Sequence, residues 1–381
     1  MLKPILAMCL AFSAVVAIAQ DKNPTAKVGK YVVELRIPEG GVFAGEEVDI
    51  EFRLMDSTKN DEILGMAGIP GAKVVAAISM PAMEGMPVAK PSIHSEGVPG
   101  DYGLVAFFPH GGDYQIDLTL TPPGDAPIKT KFMLPVGDER PNKGKPRPLP
   151  YELVFQKKLE PKAGLPVEVE LQVRDTKDKS VVKAFDIAHT KNFHLLVASK
   201  DLVWFQHDHP EMDESGTWHI NLTFPAGGDY LIYGDVAPAG KGSFILPNRI
   251  HVDGPSPTWK PNWVTALGPS PDGSVKGYFS VPEGAIPVGK MTSVSIKLLD
   301  TTTGAAVSDL EPYLGAMGHL MIFSQDGKTV VHSHPKEDSS SKPGIVQFNA
   351  RFPKPGWYRA FGQFQRAGKV LTVPFTFEVK G

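Results

Sequence analysis

Six of the chain's 11 histidines fall into one pattern that occurs twice. His194 is followed by His207, His209 and Pro210, and His319 is followed at the same spacing by His332, His334 and Pro335. Imidazole nitrogens suit copper, zinc and nickel, so convergent rings would be metal ligands. Ser199-Lys200-Asp201-Leu202 and Ser324-Gln325-Asp326-Gly327 lie between the rings and read as hairpin turns. With Lys200 and Asp201 as a two-residue loop, His194 is predicted directly opposite His207, and His209 shares its face because side chains alternate along a strand. The same count pairs His319 with His332 and Met317 with His334. The added thioether tilts the choice towards copper, Cu(I) in particular. In the second unit Asn192 stands where Met317 does and His189 lies nearby, so its fourth ligand stays open. The competing reading makes the rings structural, capping loops through backbone carbonyls beside the prolines. A turn longer by one residue would put His194 and His207 on opposite faces and defeat the metal geometry.

A second set of soft donors lies earlier in the chain. Met80, Met83 and Met86 are spaced by three among Pro and Gly, which no regular helix accommodates. In a turn or loop their thioethers could close around Cu(I), with His94 expected nearby. Against this, methionine also fills irregular gaps beneath loops.

The elements that must hold these residues are strands. Gly (38) and Pro (36) are abundant and the apolar segments are short, which favours many strands joined by turns. Three segments open alike, with a turn at residues 38–45, 159–164 and 282–289 leading into an alternating strand. They also close alike: residues 108–114, 224–230 and 352–358 each run from Phe-Pro through Gly to Tyr, like the corner before a late immunoglobulin-type strand. The chain is therefore read as all-β, three tandem immunoglobulin-like β-sandwich domains after a cleavable signal peptide. The units span residues 28–136, 150–253 and 275–381. Pro-rich linkers at 137–150 and 253–273 are read as semi-stiff spacers.

Residues 1–19 form the targeting segment: Lys3, an apolar stretch, then Ala17-Ile18-Ala19 as a small-x-small cleavage signal. The expected location is periplasmic or secreted, without a membrane span. Cys9, the single cysteine, lies inside this segment after Met8, so the mature chain is expected to lack thiolate ligands and disulfides. The formal charge of −3 carries no footprint for nucleic acid. No G-x-S-x-G elbow, phosphate-cradling loop or H-E-x-x-H helix is present, and the protein is expected not to be an enzyme.

The first unit resembles the YtkA-like family of small exported β-sandwich domains. The resemblance rests on Met80-Pro81-x-Met83, Gly100-Asp101-Tyr102 and the 108–114 corner. It implies a β-sandwich that accompanies copper or heavy-metal handling, with Met80 and Met83 at the signature positions. The functional expectation is an exported metal-binding protein, a copper carrier or buffer of the cell envelope with zinc as the alternative metal. Its partners are expected to be the ion and another envelope protein. The rival expectation is a scaffold of immunoglobulin-like domains that holds a partner protein and binds no metal.

Overall fold

The computed structural model describes Val16–Ala17 and residues 23–380, except 39, 62–64, 84, 97, 141–148, 189, 258–262, 264–265, 268–272, 282–285, 315 and 336–342. The cleavage signal after Ala17, His189, much of both linkers and part of the third opening turn lie outside the described residues. Val16–Ala17 pairs in parallel with Lys131 and Phe132. No described helix is long and apolar enough to cross a membrane.

The described elements are strands, gathered into two sheets for each of three sandwiches. In the first, Lys73–Ser79, Gly112–Thr121 and Ile128–Gly137 face a sheet built on Tyr31–Arg36, Glu47–Asp61 and Asp101–Phe107. In the second, Tyr151–Phe155, Pro166–Asp175 and Trp218–Thr223 face a sheet ordered Phe205–Asp208, Phe193–Ser199, Gly228–Val236, Phe244–Val252. The third repeats this with Val330–Ser333, His319–Ser324, Gly356–Arg366 and Lys369–Val379 against Val275–Ser280, Met291–Asp300 and Ile345–Arg351. Period-two burial feeds a separate core in each unit, around Phe52 and Phe132, Phe193 and Phe224, and Phe348 and Phe352. The repeated closing corner does one job three times. Tyr114, Tyr230 and Tyr358 each donate a hydroxyl hydrogen bond to the carbonyl four residues back, on His110, Ala226 and Lys354, at 3.0, 2.8 and 2.8 Å.

The units are not beads on spacers. Phe193–Ser199 is buried on both faces: Phe193, Leu195 and Val197 enter their own core, while Leu196 and Ala198 meet the third unit. His319–Ser324 behaves alike, with Leu320 and Ile322 turned inward and Met321 and Phe323 turned to the second unit. Leu202, Tyr233 and Phe361 complete this joint core; Phe205 stacks on Phe361 with centroids 4.8 Å apart. The Tyr233 hydroxyl donates to the Gly327 carbonyl across the joint. Burying each large apolar side chain here contributes about 1.5–3 kcal/mol, so the semi-stiff spacer reading of the linkers gives way to a packed interface. The first unit joins the assembly through Phe107 stacked on Phe244 at 5.1 Å and through the Arg351–Asp138 ion pair at 2.7 Å.

Candidate metal centre

The joint core ends in a chamber made by both histidine sets. Each hairpin holds its rings through the same turn. Ser199 N–H donates to Trp204 O at 3.0 Å and Leu202 N–H to Ser199 O at 2.7 Å; Ser324 to Thr329 and Gly327 to Ser324 repeat these at 2.9 and 2.8 Å. The Ser199 hydroxyl accepts from the Trp204 N–H, and Leu202 takes a left-handed φ of 57°. Lys200 and Asp201 do form the tight bend, but Leu202 and Val203 extend the loop to four residues before the strands pair.

This overturns the predicted register. Leu196, not His194, opposes His207, and Met321, not His319, opposes His332. Extending the pairing sets His194 opposite His209 and His319 opposite His334. The slip is two residues, so the faces survive and all three rings of each set still point one way. What does not survive is the square containing Met317, since His319 takes the place opposite His334 that was assigned to it. Asn192 donates to the Phe185 carbonyl at 3.1 Å, a structural role.

The two sets face each other and form one cluster, not the two separate sites expected. Within the second unit His194 lies 4.8 Å from His209 and 5.4 Å from His207, centroid to centroid. Within the third, His334 lies 4.7 Å from His319 and 4.4 Å from His332. Across the joint, His194 is 5.1 Å from His332 and His207 is 5.4 Å from both His319 and His332. Ligand nitrogens of His194, His207 and His209 lie within 4.8 Å of one another, as do those of His207, His319 and His332. His194, His207, His319 and His332 are buried; His209 and His334 stand at the margin, partly exposed.

Hydrogen bonds fix which nitrogen each buried ring turns inward. A carbonyl only accepts, so His194 Nε2–H donates to Ala188 O at 3.0 Å and His319 Nε2–H to Tyr313 O at 2.9 Å. His332 Nδ1–H donates to the Asp235 carboxylate at 2.7 Å, and His207 Nδ1–H to Gln363 Oε1 at 3.1 Å. Asp235 and Gln363 are the cross-strand neighbours of His194 and His319. Each unit therefore orients a ring of the other: the partner that sets the tautomer is supplied in trans. The inward nitrogens then face one another, His194 Nδ1 at 3.1 Å from both His207 Nε2 and His209 Nε2, and His319 Nδ1 at 3.4 Å from His332 Nε2.

In the His194–His207 and His319–His332 pairs each ring has spent an N–H elsewhere, so their facing nitrogens, when neutral, oppose lone pair to lone pair and a cation between them removes the repulsion. A proton is a poor candidate at His207 and His209. Burial, reinforced by the neighbouring rings His332, His319, His194 and His209, holds His207 well below the usual imidazole range. Burial and the nearby His194, Lys191 and His319 bring His209 down to about 3. The donor set fits a transition metal: M–N bonds of about 2.0–2.1 Å place tetrahedral ligand nitrogens about 3.3 Å apart. Asp235 behind His332 supplies the carboxylate–histidine pairing that accompanies such ligands.

The methionine segment divides. Met80 is core, its terminal methyl so close to Gly112 that a Cβ there would lie 2.5 Å from it. Met83 and Met86 are partly buried and reach the third unit, lining a cavity with Ser333, His334 and Asn349. His94 is not nearby, contrary to expectation. It lies on the opposite sheet, in Ser92–Ser95, with Glu96 at 2.9 Å and Asp49 at 3.1 Å on an exposed surface.

Comparison with known proteins divides the chain into the same three units. The YtkA-like family model matches residues 25–119, and the domain of unknown function DUF8832 matches twice, at 151–252 and 273–381. No curated protein matches. Among solved structures the chain is similar to the FN1–FN3 domains of chicken CNTN1, at 10% identity, 91% of this chain, 97% of that one and a TM-score of 0.20. It is also similar to a putative membrane anchored protein from Corynebacterium diphtheriae, at 12% identity, 92% of each chain and a TM-score of 0.20. The second and third units are thus two copies of one domain behind a YtkA-like one, and the chain belongs to the DUF8832 family.

Proposed function

We propose that the paired DUF8832 units hold a metal ion between them, copper in preference to zinc, and that the protein is a non-enzymatic carrier or buffer outside the cytoplasm. One observation carries the reading: the buried rings spend their N–H groups on acceptors outside the chamber and turn their remaining nitrogens on one another, His194 on His207 at 3.1 Å and His319 on His332 at 3.4 Å. His194, His207, His209, His319, His332 and His334 would share the ion or ions. Copper stands before zinc because divalent copper heads the affinity order for nitrogen ligands. Envelope location is supported by the signal-like N-terminus and the YtkA-like first unit.

A scaffold reading has its own support, since the bonds from His194 and His319 to backbone carbonyls are those a structural histidine makes. Titration of the full mature chain with Cu(II) and Zn(II) separates the two. Tight binding with nitrogen hyperfine structure in the Cu(II) EPR spectrum is expected, lost in both His207→Ala and His332→Ala. A protein whose melting temperature ignores both ions would remove the metal function and leave the scaffold.

A further inference from the structure

We infer that Met83, Met86 and His334 form a separate soft-cation site for Cu(I), at the edge of the histidine chamber where the first unit meets the third. The inference rests on the proposed metal chamber only in sharing His334.

The loop after Lys73–Ser79 turns back on itself through Met83 N–H to Met80 O at 2.9 Å. Its position is set from outside: Asn349 of the third unit donates from Nδ2 to the Ala82 carbonyl at 2.9 Å. That clamp brings both methionines to a cavity of about 20 Å³ shared with Ser333, His334 and Pro335. The volume exceeds the roughly 10–15 Å³ that one water needs, so a single ion fits. Two thioethers and an imidazole suit Cu(I), while neither thioether attracts zinc. Met83 also packs against the first unit's core, but unlike Met80 it is only partly buried there and, with Met86, lines the cavity shared with the third unit.

Location gives the site a direction. Met83 and Met86 also line a cleft of about 400 Å³ between the three units, which reaches Asp235 and His332. On the other side the His334 ring lies 4.4 Å from His332 and 4.7 Å from His319. An ion held by the thioethers thus sits between the cleft and the chamber, with one imidazole common to both sites.

Ag(I), a redox-inert stand-in for Cu(I), added to the full mature chain labelled with ¹³C at the methionine methyls provides the test. The Met83 and Met86 signals should shift while Met80 stays in place. The Met83→Leu/Met86→Leu variant, which keeps side-chain volume, should lose one equivalent of Ag(I) and retain its full Zn(II) stoichiometry. Unshifted Met83 and Met86 signals, or an unchanged Ag(I) count in the double variant, would overturn the site. If wild type ignores Zn(II) and Cu(II) yet Ag(I) still moves these two methyls, the chamber fails and the thioether site stands.

Discussion

The two DUF8832 units carry the same ring spacing and the same serine-anchored turn, yet they differ at two positions that matter. Asp235 in the second unit corresponds to Gln363 in the third, and Leu202 corresponds to Gly327. The first difference gives His332 an anionic partner and His207 a neutral one. The second makes the joint a knob and a hole. Leu202, at φ 57°, fills the joint core, whereas Gly327, at φ 68°, leaves room for Leu231 and presents its carbonyl to Tyr233. Duplication supplied two half-sites, and departure from symmetry lets them close on each other with unequal halves.

The largest effect should come from emptying the joint. Phe323 is fully buried against Phe205, Tyr233 and Phe361. Phe323→Ala should cost about 3–5 kcal/mol in denaturant unfolding. It should also abolish metal binding without touching a ring, because the halves no longer meet. Retained metal affinity would mean that each hairpin binds alone and that the trans partners are incidental. Filling the hole comes next. Gly327→Ala forces a side chain into left-handed backbone, its Cβ 2.6 Å from Leu231 Cδ1, and should cost about 1–2 kcal/mol. Leu202→Gly relieves the corresponding backbone strain but loses apolar burial, so the two glycine-site changes should destabilise for opposite reasons.

The partner asymmetry predicts a graded loss. Asp235→Asn keeps the shape but removes the charge behind His332, and should weaken Cu(II) or Zn(II) about 10–100-fold by competition titration. Gln363→Glu should move affinity the other way, by giving His207 the partner His332 already has. Equal, small effects from both would show that these side chains serve packing alone.

Much of this was legible in the residues, and what was not has physical causes. Ring spacing and hairpin character can be read because strand alternation is local. The register could not be counted from turn residues alone, since Leu202 adopts a backbone conformation unusual for its type and Ser199 holds the longer loop with its hydroxyl. Parity survived because the loop grew by two. The joint left a trace in the sequence: 193–199 and 319–324 are apolar or histidine at nearly every position, which a strand with one wet face would not be. Asp235 and Gln363 gave no such signal, because their role depends on a ring from the other unit. His94 and Met80 were misjudged for a related reason: closeness along the chain says little about which sheet of a sandwich a residue joins.

The smallest effect separates the rival readings of the rings. His207 is buried and held well below the usual imidazole range, so the folded metal-free chain keeps it neutral while the unfolded chain protonates it below about pH 6.5. More protons bind to the unfolded state, so stability falls as pH drops; between about pH 7 and pH 5.5 the loss from this ring should be about 1 kcal/mol. His209, lowered to about 3 but partly exposed, should add less. This much follows from burial and holds even for a purely structural cluster. With Zn(II) present, binding to the folded chain adds stability near neutral pH that protons then compete away, so the melting temperature should fall more steeply with acid than it does with chelator. Parallel melting curves in Zn(II) and in chelator across that range would assign the rings to structure, and His207→Phe should then remove the acid sensitivity without a compensating loss of any ligand.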